Sequence, residues 1–414
     1  MRILSKSKLL AYRQCPKRLW LEIYRPDLRE DSAATQAAFK VGHQVGEIAR
    51  RLYDPKDEGA LVELQKDDLQ AAFSHTTELL RSSRPIFEAG FASGGAMAFA
   101  DIMLPLRKQG HVSWRMVEVK SSTSVKDYYR DDTAIQAFVA RGAGVPLDSI
   151  AIAHIDREWV YAGAEKYEGL LKERDLTEEA FGRQDEVKTW ISESQNVVAL
   201  ADEPRIATGR QCGDPYECGF LEYCRSKEKQ AKYPVSWLPR MQSRQLRSLI
   251  EERGVKDMGD VPDDLLKERQ RRVKAHTVAG TVFFDAEGAK SSLQDYEPPA
   301  YFLDFETIYF AVPIWKGTRP YQQIPFQFSV HRVSQRGELT HEAFLDLAGD
   351  DPSRKLAEAL INACGDAGPV FVYNAAFEIA RIRELADRYP ELQRPLRAIN
   401  TRIFDLLMVA EQYY

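Results

Sequence analysis

Asp101, Glu118 and Lys120 are residues whose types and spacing suit the hydrolysis of a phosphodiester. Asp101 follows a run of small residues in GAMAFADI, and Glu118 and Lys120 stand two apart in MVEVKSS. Because side chains alternate along a strand, Glu118 and Lys120 should share one face. Carboxylates suit Mg²⁺, which polarises a phosphoryl oxygen and activates water, and a lysine can neutralise transition-state charge. The spacing alone is equally compatible with a solvent-facing pair of strands.

Three cysteines raise a second chemical possibility. Cys212, Cys218 and Cys224 lie six residues apart in QCGDPYECGFLEYC, and the chain has only two others, Cys15 and Cys364. Three thiols are one short of a four-thiolate metal site and one too many for a disulfide. The N-terminal stretch MRILSKSKLLAYRQCPKRLW is too interrupted by Lys and Arg for a secretory signal, so a reducing, cytoplasmic location is expected.

A second set of acidic residues lies near the C-terminal end. Asp304 and Glu306 occupy alternate positions of the strand-like YFLDFET, Asn374 and Glu378 lie in FVYNAAFEIARI, and Asp405 lies in IFDLLMVA. Carboxylates at such positions can hold metal ions for attack on a phosphodiester. The alternative is a charged edge on a buried strand, which is uncommon because acids among aromatic residues need partners.

The pattern of elements must bring these residues together. Residues 1–84 have mostly helical periodicity, and from Pro85 three short β-rich segments are followed by a polar helix and another strand. This order predicts an α/β core. From residue 291 onward, strands and helices again alternate, which predicts a second α/β domain. We therefore predict a domain over 1–230, a helical basic linker over 231–290 and a second domain over 291–414.

Composition limits the class of protein. Hydrophobic residues make up 44% of the 414 residues, charged residues 29%, and the net charge is −5. These values are typical of a globular protein, and no apolar run approaches the ~18 residues that span a bilayer. A wholly basic nucleic-acid coat is excluded, although residues 225–274 contain 14 Lys or Arg against 8 Asp or Glu. That segment could touch a phosphate backbone or be a solvated linker.

The first domain resembles the PD-(D/E)XK nuclease superfamily, most closely its RecB-like branch. The resemblance rests on the helix, the strands, AD at 100–101, EVK at 118–120 and the helix that follows. It implies a restriction-endonuclease-like core in which Asp101 and Glu118 bind Mg²⁺ or Mn²⁺. It also implies that His43, in VGHQVGE, completes the metal shell, whereas a lone His on an amphipathic helix is otherwise usually structural.

The same resemblance implies roles for residues after the lysine strand. Gln136 in AIQAFVARGAG matches the glutamine motif of the family, which together with Lys120 positions water or the scissile phosphate. Ala140 stands where many members have Tyr, and Tyr128 or Tyr129 could substitute for it. Glu88 is either support for the metal shell or an ordinary strand-face glutamate.

The cysteines are similar to those of iron-sulfur RecB-like nucleases, such as AddB and the CRISPR-associated RecB-like exonucleases. In those proteins one cysteine precedes the core and three follow it, which implies that Cys15, Cys212, Cys218 and Cys224 hold a [4Fe–4S] cluster, with Zn²⁺ as the alternative. Such a group would join the two ends of the nuclease domain. Cys364 is expected to be a small buried apolar residue.

The second domain resembles the DnaQ-like 3′–5′ exonuclease fold, a relative of RNase H. The resemblance implies metal ligands at Asp304, Glu306, Glu378 and Asp405, with Glu378 in place of the usual Asp. The last motif of that family is absent, so the domain is expected to be incomplete at its C-terminal end. The combination of both domains also resembles an uncharacterised bacterial family of unknown function.

The sequence thus predicts a metal-dependent nuclease that acts on DNA, as an exonuclease or on single strands, in repair or defence. A helicase or a repair or defence complex is the expected partner, and no membrane is involved. The alternatives are a catalytically silent nucleic-acid-binding scaffold, or a 3′–5′ exonuclease that uses the second domain on RNA.

Overall fold

The computed structural model describes residues 2–63, 68–108, 111–241 and 243–414. The protein is mixed α/β and divides into two compact units, Met1–Gln230 and Ala231–Tyr414. No helix among these residues has both the length and the apolar character needed to cross a bilayer.

The first unit contains one mixed sheet surrounded by helices. Its strands, within the described residues, are β1 Leu4–Ser5, β2 Ala60–Leu61, β3 Ile86–Ser93, β4 Ala96–Lys108, β5 His111–Lys120, β6 Leu147–Ile155 and β7 Leu171–Asp175. Its helices there are α1 Lys6–Gln14, α2 Pro16–Tyr24, α3 Ala33–Tyr53, α4 Leu69–Leu79, α5 Asp127–Gly142, α6 Thr177–Gly182, α7 Gln184–Val198 and α8 Leu221–Ser226. The predicted order of helices, three strands, helix and strand is confirmed.

The strand order in this sheet is β2-β3-β4-β5-β6-β7, and β1 pairs with β4. β3, β4 and β5 form the expected antiparallel meander. Gly94 and Gly95 both have positive φ in the two-residue turn between β3 and β4, as a tight hairpin requires. β6 pairs parallel to β5, with α5 as the crossover helix between them.

The two faces of the sheet are covered by different helices. α5 packs on β3, β4 and β6, and contributes Ile135 and Val139 to a core that includes Trp114 and Met116 of β5. α3 lies against β5 on the other face, where Ala49 joins a smaller cluster with Val117. Residues at the carboxyl end of β5 are therefore enclosed by helices rather than open to solvent.

The second unit contains another mixed sheet. Its strands, within the described residues, are β8 Ala300–Ile308, β9 Ile324–Val333, β10 Leu339–Leu345, β11 Val370–Val372 and β12 Ile403–Asp405. Its helices there are α9 Arg244–Glu251, α10 Glu268–Ala279, α11 Ala286–Leu293, α12 Ser353–Cys364, α13 Ala375–Arg388, α14 Gln393–Thr401 and α15 Leu406–Tyr413. The predicted strands and helices after residue 291 are confirmed as element types.

The strand order in the second sheet is β10-β9-β8-β11-β12. β9 runs antiparallel to β8, whereas β11 runs parallel to β8 and to β12. Tyr301, Leu303 and Phe305 point into a core shared with α12, α13 and α14, so the alternate residues of β8 lie on the other face. Cys364 is fully buried in this core, as expected.

The basic segment before the second sheet is helical and has its own small core. Leu246 of α9 packs there with Met258 and other apolar residues. Three of its arginines are engaged by the last helix, α15: Arg240 and Arg269 pair with Glu411 at 2.9 and 2.6 Å, and Arg272 donates to the carbonyl of Gln412. These arginines are part of the packing of the second unit.

Candidate active site and cysteine cavity

Glu118 and Lys120 lie on one face of β5, as strand alternation predicts. Only 2% of the Glu118 surface is exposed. The distance between Lys120 Nζ and Glu118 Oε1 is 2.6 Å. Because α5 covers this face, Glu118 is buried and Lys120 is largely covered, with 17% of its side chain exposed, which excludes the interpretation as a solvent-facing pair of strands.

Asp101 is the neighbour of this pair on β4. Its Oδ2 accepts a hydrogen bond of 2.7 Å from the backbone N–H of Val119, between the two polar residues of β5. Burial, followed by the charge of Glu118, raises the pKa of Asp101 to about 8. Burial and a neighbouring carboxylate both favour the protonated form of the Asp101 carboxyl, whereas a bound cation would favour its ionised form.

His43 joins these residues at the wall of one cavity. The cavity is lined by Asp101, Glu118 and Lys120 from the sheet and by His43 and the small Gly42 from α3. His43 itself is exposed, so the cavity opens to solvent on the α3 side. The three candidate metal ligands in this cavity, Asp101, Glu118 and His43, therefore come from three separate elements, β4, β5 and α3.

Glu88 also lines this cavity, from β3. It has a positive φ of 54°, which is uncommon for a residue with a side chain. Burial and the charge of Glu118 raise the pKa of Glu88. Glu88 is thus an acidic neighbour of the Asp101 and Glu118 pair whose side chain is exposed on β3, so both interpretations of it remain.

Two residues of the site were missed by the sequence analysis. Asp132 on α5 is buried and accepts from Lys120 Nζ at 2.7 Å, and Lys6 on α1 lies 2.7 Å from Glu118 and 3.1 Å from Asp132. Burial opposes ionisation of Asp132, but Lys120 and Lys6 hold its pKa well below the usual range. The two carboxylates and two ammonium groups form a compact ionic group whose formal charges cancel.

Gln136 is connected to the site through Asp132. Its side-chain amide donates to Asp132 Oδ1 at 2.9 Å, because positions 132 and 136 share a face of α5 one turn apart. Gln136 is fully buried and is not among the residues that line the cavity. Tyr129 contacts the site instead, with its ring centroid 5.2 Å from Lys120 Nζ.

The residues of this cavity fit a hard divalent cation in donor chemistry. In the described part of the chain, Glu118 Oε2 is buried and has no hydrogen-bond partner. An orphaned buried carboxylate oxygen is costly, and a cation can satisfy it. Across the ranges that the structure describes, however, no group of three or more His, Cys, Asp or Glu side chains is arranged so that it could hold a metal ion as it stands.

The four predicted cysteine ligands line a second cavity. Cys15, which ends α1 and precedes α2, faces a wall formed by Cys212, Cys218 and Cys224. The backbone N–H of Cys218 donates to the carbonyl of Cys212 at 2.9 Å. Residues nearly two hundred positions apart in sequence therefore line one cavity, and their sulfur atoms have the donor chemistry of a four-thiolate group. As they stand, these four described side chains are not arranged to hold a metal ion.

Positive side chains surround the thiols. Lys17 and Arg18 line the same cavity. Burial raises the pKa of Cys224 to about 11, and Lys17 opposes that shift. Burial also raises the pKa of Cys218. Burial therefore favours the protonated thiol at Cys218 and Cys224, and the neighbouring cations favour the thiolate form that a metal would require.

Gln14 fastens the cysteine loop, the segment that contains Cys212, Cys218 and Cys224, to the first helices. Its buried side-chain amide donates to the carbonyls of Gln211 and Tyr216, at 2.8 and 2.7 Å. Arg18 lies over the ring of Tyr216, 4.8 Å from its centroid. The cysteine loop is therefore fixed to α1, the helix whose other end carries Lys6.

In the second unit, three of the four predicted carboxylates lie near one another. Burial raises the pKa of Glu378 to about 7, and Asp304 and Asp405 contribute through their charges. Within the described residues, Glu378 Oε2 is buried without a hydrogen-bond partner. Glu306 is exposed on the same face of β8 as Asp304.

Asp405, besides being a candidate metal ligand, accepts hydrogen bonds from the surrounding backbone. It accepts hydrogen bonds from the backbone N–H groups of Asn374, Ala375 and Leu407, at 3.0, 3.1 and 2.9 Å. Asn374 has a left-handed backbone, with φ of 78°, at the start of α13. Asn374 follows β11 and Asp405 ends β12, so the group lies near the carboxyl ends of these two parallel strands.

Comparison with known protein families finds a match in the second unit. Residues 301–414 match a family described as "Domain of unknown function (DUF2779)". The match includes the four predicted metal ligands of the second unit, Asp304, Glu306, Glu378 and Asp405, and none of the residues of the first unit. No curated protein matches the chain.

Proposed function

We propose that the first unit is a metal-dependent nuclease of the RecB-like PD-(D/E)XK type, which hydrolyses phosphodiester bonds in DNA. The observation that carries the proposal is the shared cavity of Asp101, Glu118, Lys120 and His43, with the buried Oε2 of Glu118, which has no hydrogen-bond partner among the described residues. Carboxylates beside a lysine serve a reaction in which an anionic substrate gains charge in the transition state.

Each residue has a task in this proposal. Asp101, Glu118 and His43 would hold Mg²⁺ or Mn²⁺, which supplies an activated water and polarises the phosphoryl oxygen. Lys120 presents its ammonium to the phosphate, and Asp132 fixes that ammonium by a buried ion pair. Gln136 acts as a positioning residue, because its side chain donates a hydrogen bond to Asp132 and does not line the cavity.

The cysteines have a structural task in the same proposal. Cys15, Cys212, Cys218 and Cys224 would hold a [4Fe–4S] cluster, with Zn²⁺ as the alternative. Cys15 immediately follows α1, and the other three follow the last strand of the sheet, so the group would join the two ends of the first unit. The cation-lined cavity favours four negatively charged thiolates.

A second candidate function has its own supporting observation. Asp304, Glu378 and Asp405 lie near one another in the second unit, and Glu378 has a buried oxygen without a hydrogen-bond partner in the described part of the chain. A DnaQ-like 3′–5′ exonuclease, acting on RNA or DNA, would use these carboxylates. Substituting a carboxylate in one unit at a time distinguishes this candidate from the first, because cleavage is lost only when the unit that performs it is changed.

The proposal is tested by incubating labelled single- and double-stranded DNA with the full chain in Mg²⁺ or Mn²⁺. We expect cleavage by the wild type and its loss in Lys120→Ala, because the ammonium beside the phosphate is removed. Lys188→Ala is the control, since Lys188 pairs with Asp185 on the surface of α7. A wild type that cleaves nothing with either metal would leave the scaffold alternative, and undiminished cleavage by Lys120→Ala would contradict the role of this cavity.

A further inference from the structure

Lys6 is a second lysine in the candidate active site, contributed by a helix outside the sheet. It is the first residue of α1, and its side chain lines the cavity that contains His43, Asp101 and Glu118. Lys6 Nζ lies 2.7 Å from Glu118 Oε1 and 3.1 Å from Asp132 Oδ1. A basic residue at this place is in reach of whatever anion enters the cavity.

Lys6 and Lys120 have matching partners. Lys120 Nζ lies 2.6 Å from the same Oε1 of Glu118 and 2.7 Å from the other oxygen of Asp132. Both ammonium groups therefore depend on one oxygen of Glu118. A divalent cation that binds Glu118 would bring two further positive charges next to both of them, and Coulomb repulsion would disfavour that crowding.

Of the two lysines, Lys120 is held more firmly. Its ammonium lies over the ring of Tyr129, 5.2 Å from the centroid, in addition to its two ion pairs. Lys6 has the ion pairs with Glu118 and Asp132, and its side chain is slightly more exposed than that of Lys120, at 21% against 17%. Arrival of a cation at Glu118 is therefore expected to release Lys6 before Lys120.

The backbone of Lys6 is nevertheless fixed. β1 pairs with β4 immediately before α1, and Leu9 and Ala11 of α1 are fully buried. Gln14 fastens the other end of this nine-residue helix, roughly 13 Å away, to the cysteine loop. Movement is thus confined to the side chain, whose ammonium stays within reach of the cavity.

We infer that Lys6 is a phosphate-binding residue that has two partners in turn. Without a metal, its ammonium neutralises Glu118 and Asp132; once a divalent cation binds Glu118, the ammonium turns to a phosphate of the bound nucleic acid. The inference rests on the proposed nuclease function. It assigns substrate binding to a helix that precedes the nuclease core and is anchored at the cysteine cavity.

Two measurements on Lys6→Met test the inference. The first is the affinity of the metal-free protein for Mn²⁺, followed by the paramagnetic resonance signal of free Mn²⁺. We expect several-fold tighter binding than in the wild type, because a competing positive charge is removed. The second is the affinity for a single-stranded oligonucleotide in Ca²⁺ at a series of salt concentrations. We expect the slope of log Kd against log salt to fall by about 0.7, the value for one phosphate contact on a single strand.

Lys8→Met is the matched control. Lys8 is on the same helix and has a partly buried ion pair with Glu22, 2.9 Å away, outside the cavity. Its loss should lower stability without changing either Mn²⁺ affinity or the salt slope. Lys6→Arg should keep the salt slope of the wild type, because the positive charge remains.

The outcomes separate the inference from the proposed function. If Lys6→Met and Lys8→Met have the same Mn²⁺ affinity and the same salt slope, Lys6 is only a structural ion-pair partner and the inference is wrong, even if the wild type cleaves DNA. A wild type that binds the oligonucleotide but cleaves nothing contradicts the nuclease function, while the two measurements still decide the role of Lys6. A wild type that binds no oligonucleotide overturns both.

Discussion

Lys120 at the end of β5 donates to Asp132 on α5, with 2.7 Å between Nζ and Oδ2. This ion pair joins the strand with the proposed catalytic lysine to the crossover helix that follows it. Asp132 also accepts from Gln136 and lies 3.1 Å from Lys6, so one buried carboxylate orients three side chains. The position of the proposed catalytic lysine thus depends on a residue outside the EVK motif.

Replacing this carboxylate should impair cleavage without removing the cavity. We expect Asp132→Asn to lower the rate by about 10- to 100-fold, the usual effect of losing a residue that orients a metal-site or catalytic group. Asp131→Asn is the matched control, because the neighbouring Asp131 pairs with Arg13 and Arg183 instead. Equal rates for the two variants, measured on the same oligonucleotide, would contradict the role given to Asp132.

Metal binding in the first unit should depend on pH through Asp101. Burial and Glu118 raise the pKa of Asp101 to about 8, and only its ionised form binds a cation. Affinity for Mg²⁺, measured by calorimetry, should therefore rise by up to about tenfold per pH unit below pH 8 and level off above it. Asp101→Asn should bind weakly, with little dependence on pH over this range. A wild-type affinity that is flat from pH 6 to 9 would show that Asp101 is not a ligand.

Stability of the second unit should depend on pH through Glu378. Burial, with Asp304 and Asp405, raises the pKa of Glu378 from 4.5 to about 7. Because the folded state holds the proton more tightly, stability is unaffected below pH 4.5, falls as pH rises from 4.5 to 7, and stays lowered above pH 7. Glu378→Gln should therefore melt at a higher temperature than the wild type at pH 8 and at a similar temperature at pH 4.

The exposed Glu306 supplies the comparison for this melting experiment. Glu306→Gln should show no pH-dependent difference from the wild type, because that side chain is open to solvent. Added Mn²⁺ should stabilise the wild type but not Glu378→Gln if the second unit binds metal. A Glu378→Gln difference that is the same at pH 4 and pH 8 would contradict the proposed protonation of Glu378.

The cysteine cavity should carry a chromophore in protein purified without oxygen. A [4Fe–4S] cluster gives a broad absorption band near ~400 nm, and we expect that band to be lost in Cys15→Ala. Cys364→Ala should keep it, because Cys364 is buried in the core of the second unit. A colourless protein that contains one zinc ion per chain would favour the alternative metal, and a protein with neither metal would contradict the site.

The sequence was sufficient for the features that depend on local periodicity. Alternation along a strand correctly gave the shared faces of Glu118 with Lys120 and of Asp304 with Glu306. The Gly94 and Gly95 pair marks the tight turn between β3 and β4. These features require only the next few residues of the chain.

The missed residues depend on contacts across the fold. Lys6 reaches Glu118 across 112 positions, and this contact exists because β1 pairs with β4 and directs α1 toward the site. No local pattern encodes that pairing. Asp132 had a detectable signal, since it lies four residues before Gln136 on a helix whose buried face is mostly apolar, where an acid requires a partner.

The central claim, that the cavity of the first unit performs the cleavage, is tested most directly by comparing Asp101→Asn with Asp304→Asn. Both variants, with the wild type, are incubated with the same labelled DNA and RNA strands in Mn²⁺, and initial rates are measured. We expect DNA cleavage to be lost in Asp101→Asn and retained in Asp304→Asn. Retention in Asp101→Asn with loss in Asp304→Asn would contradict the account and assign the reaction to the second unit.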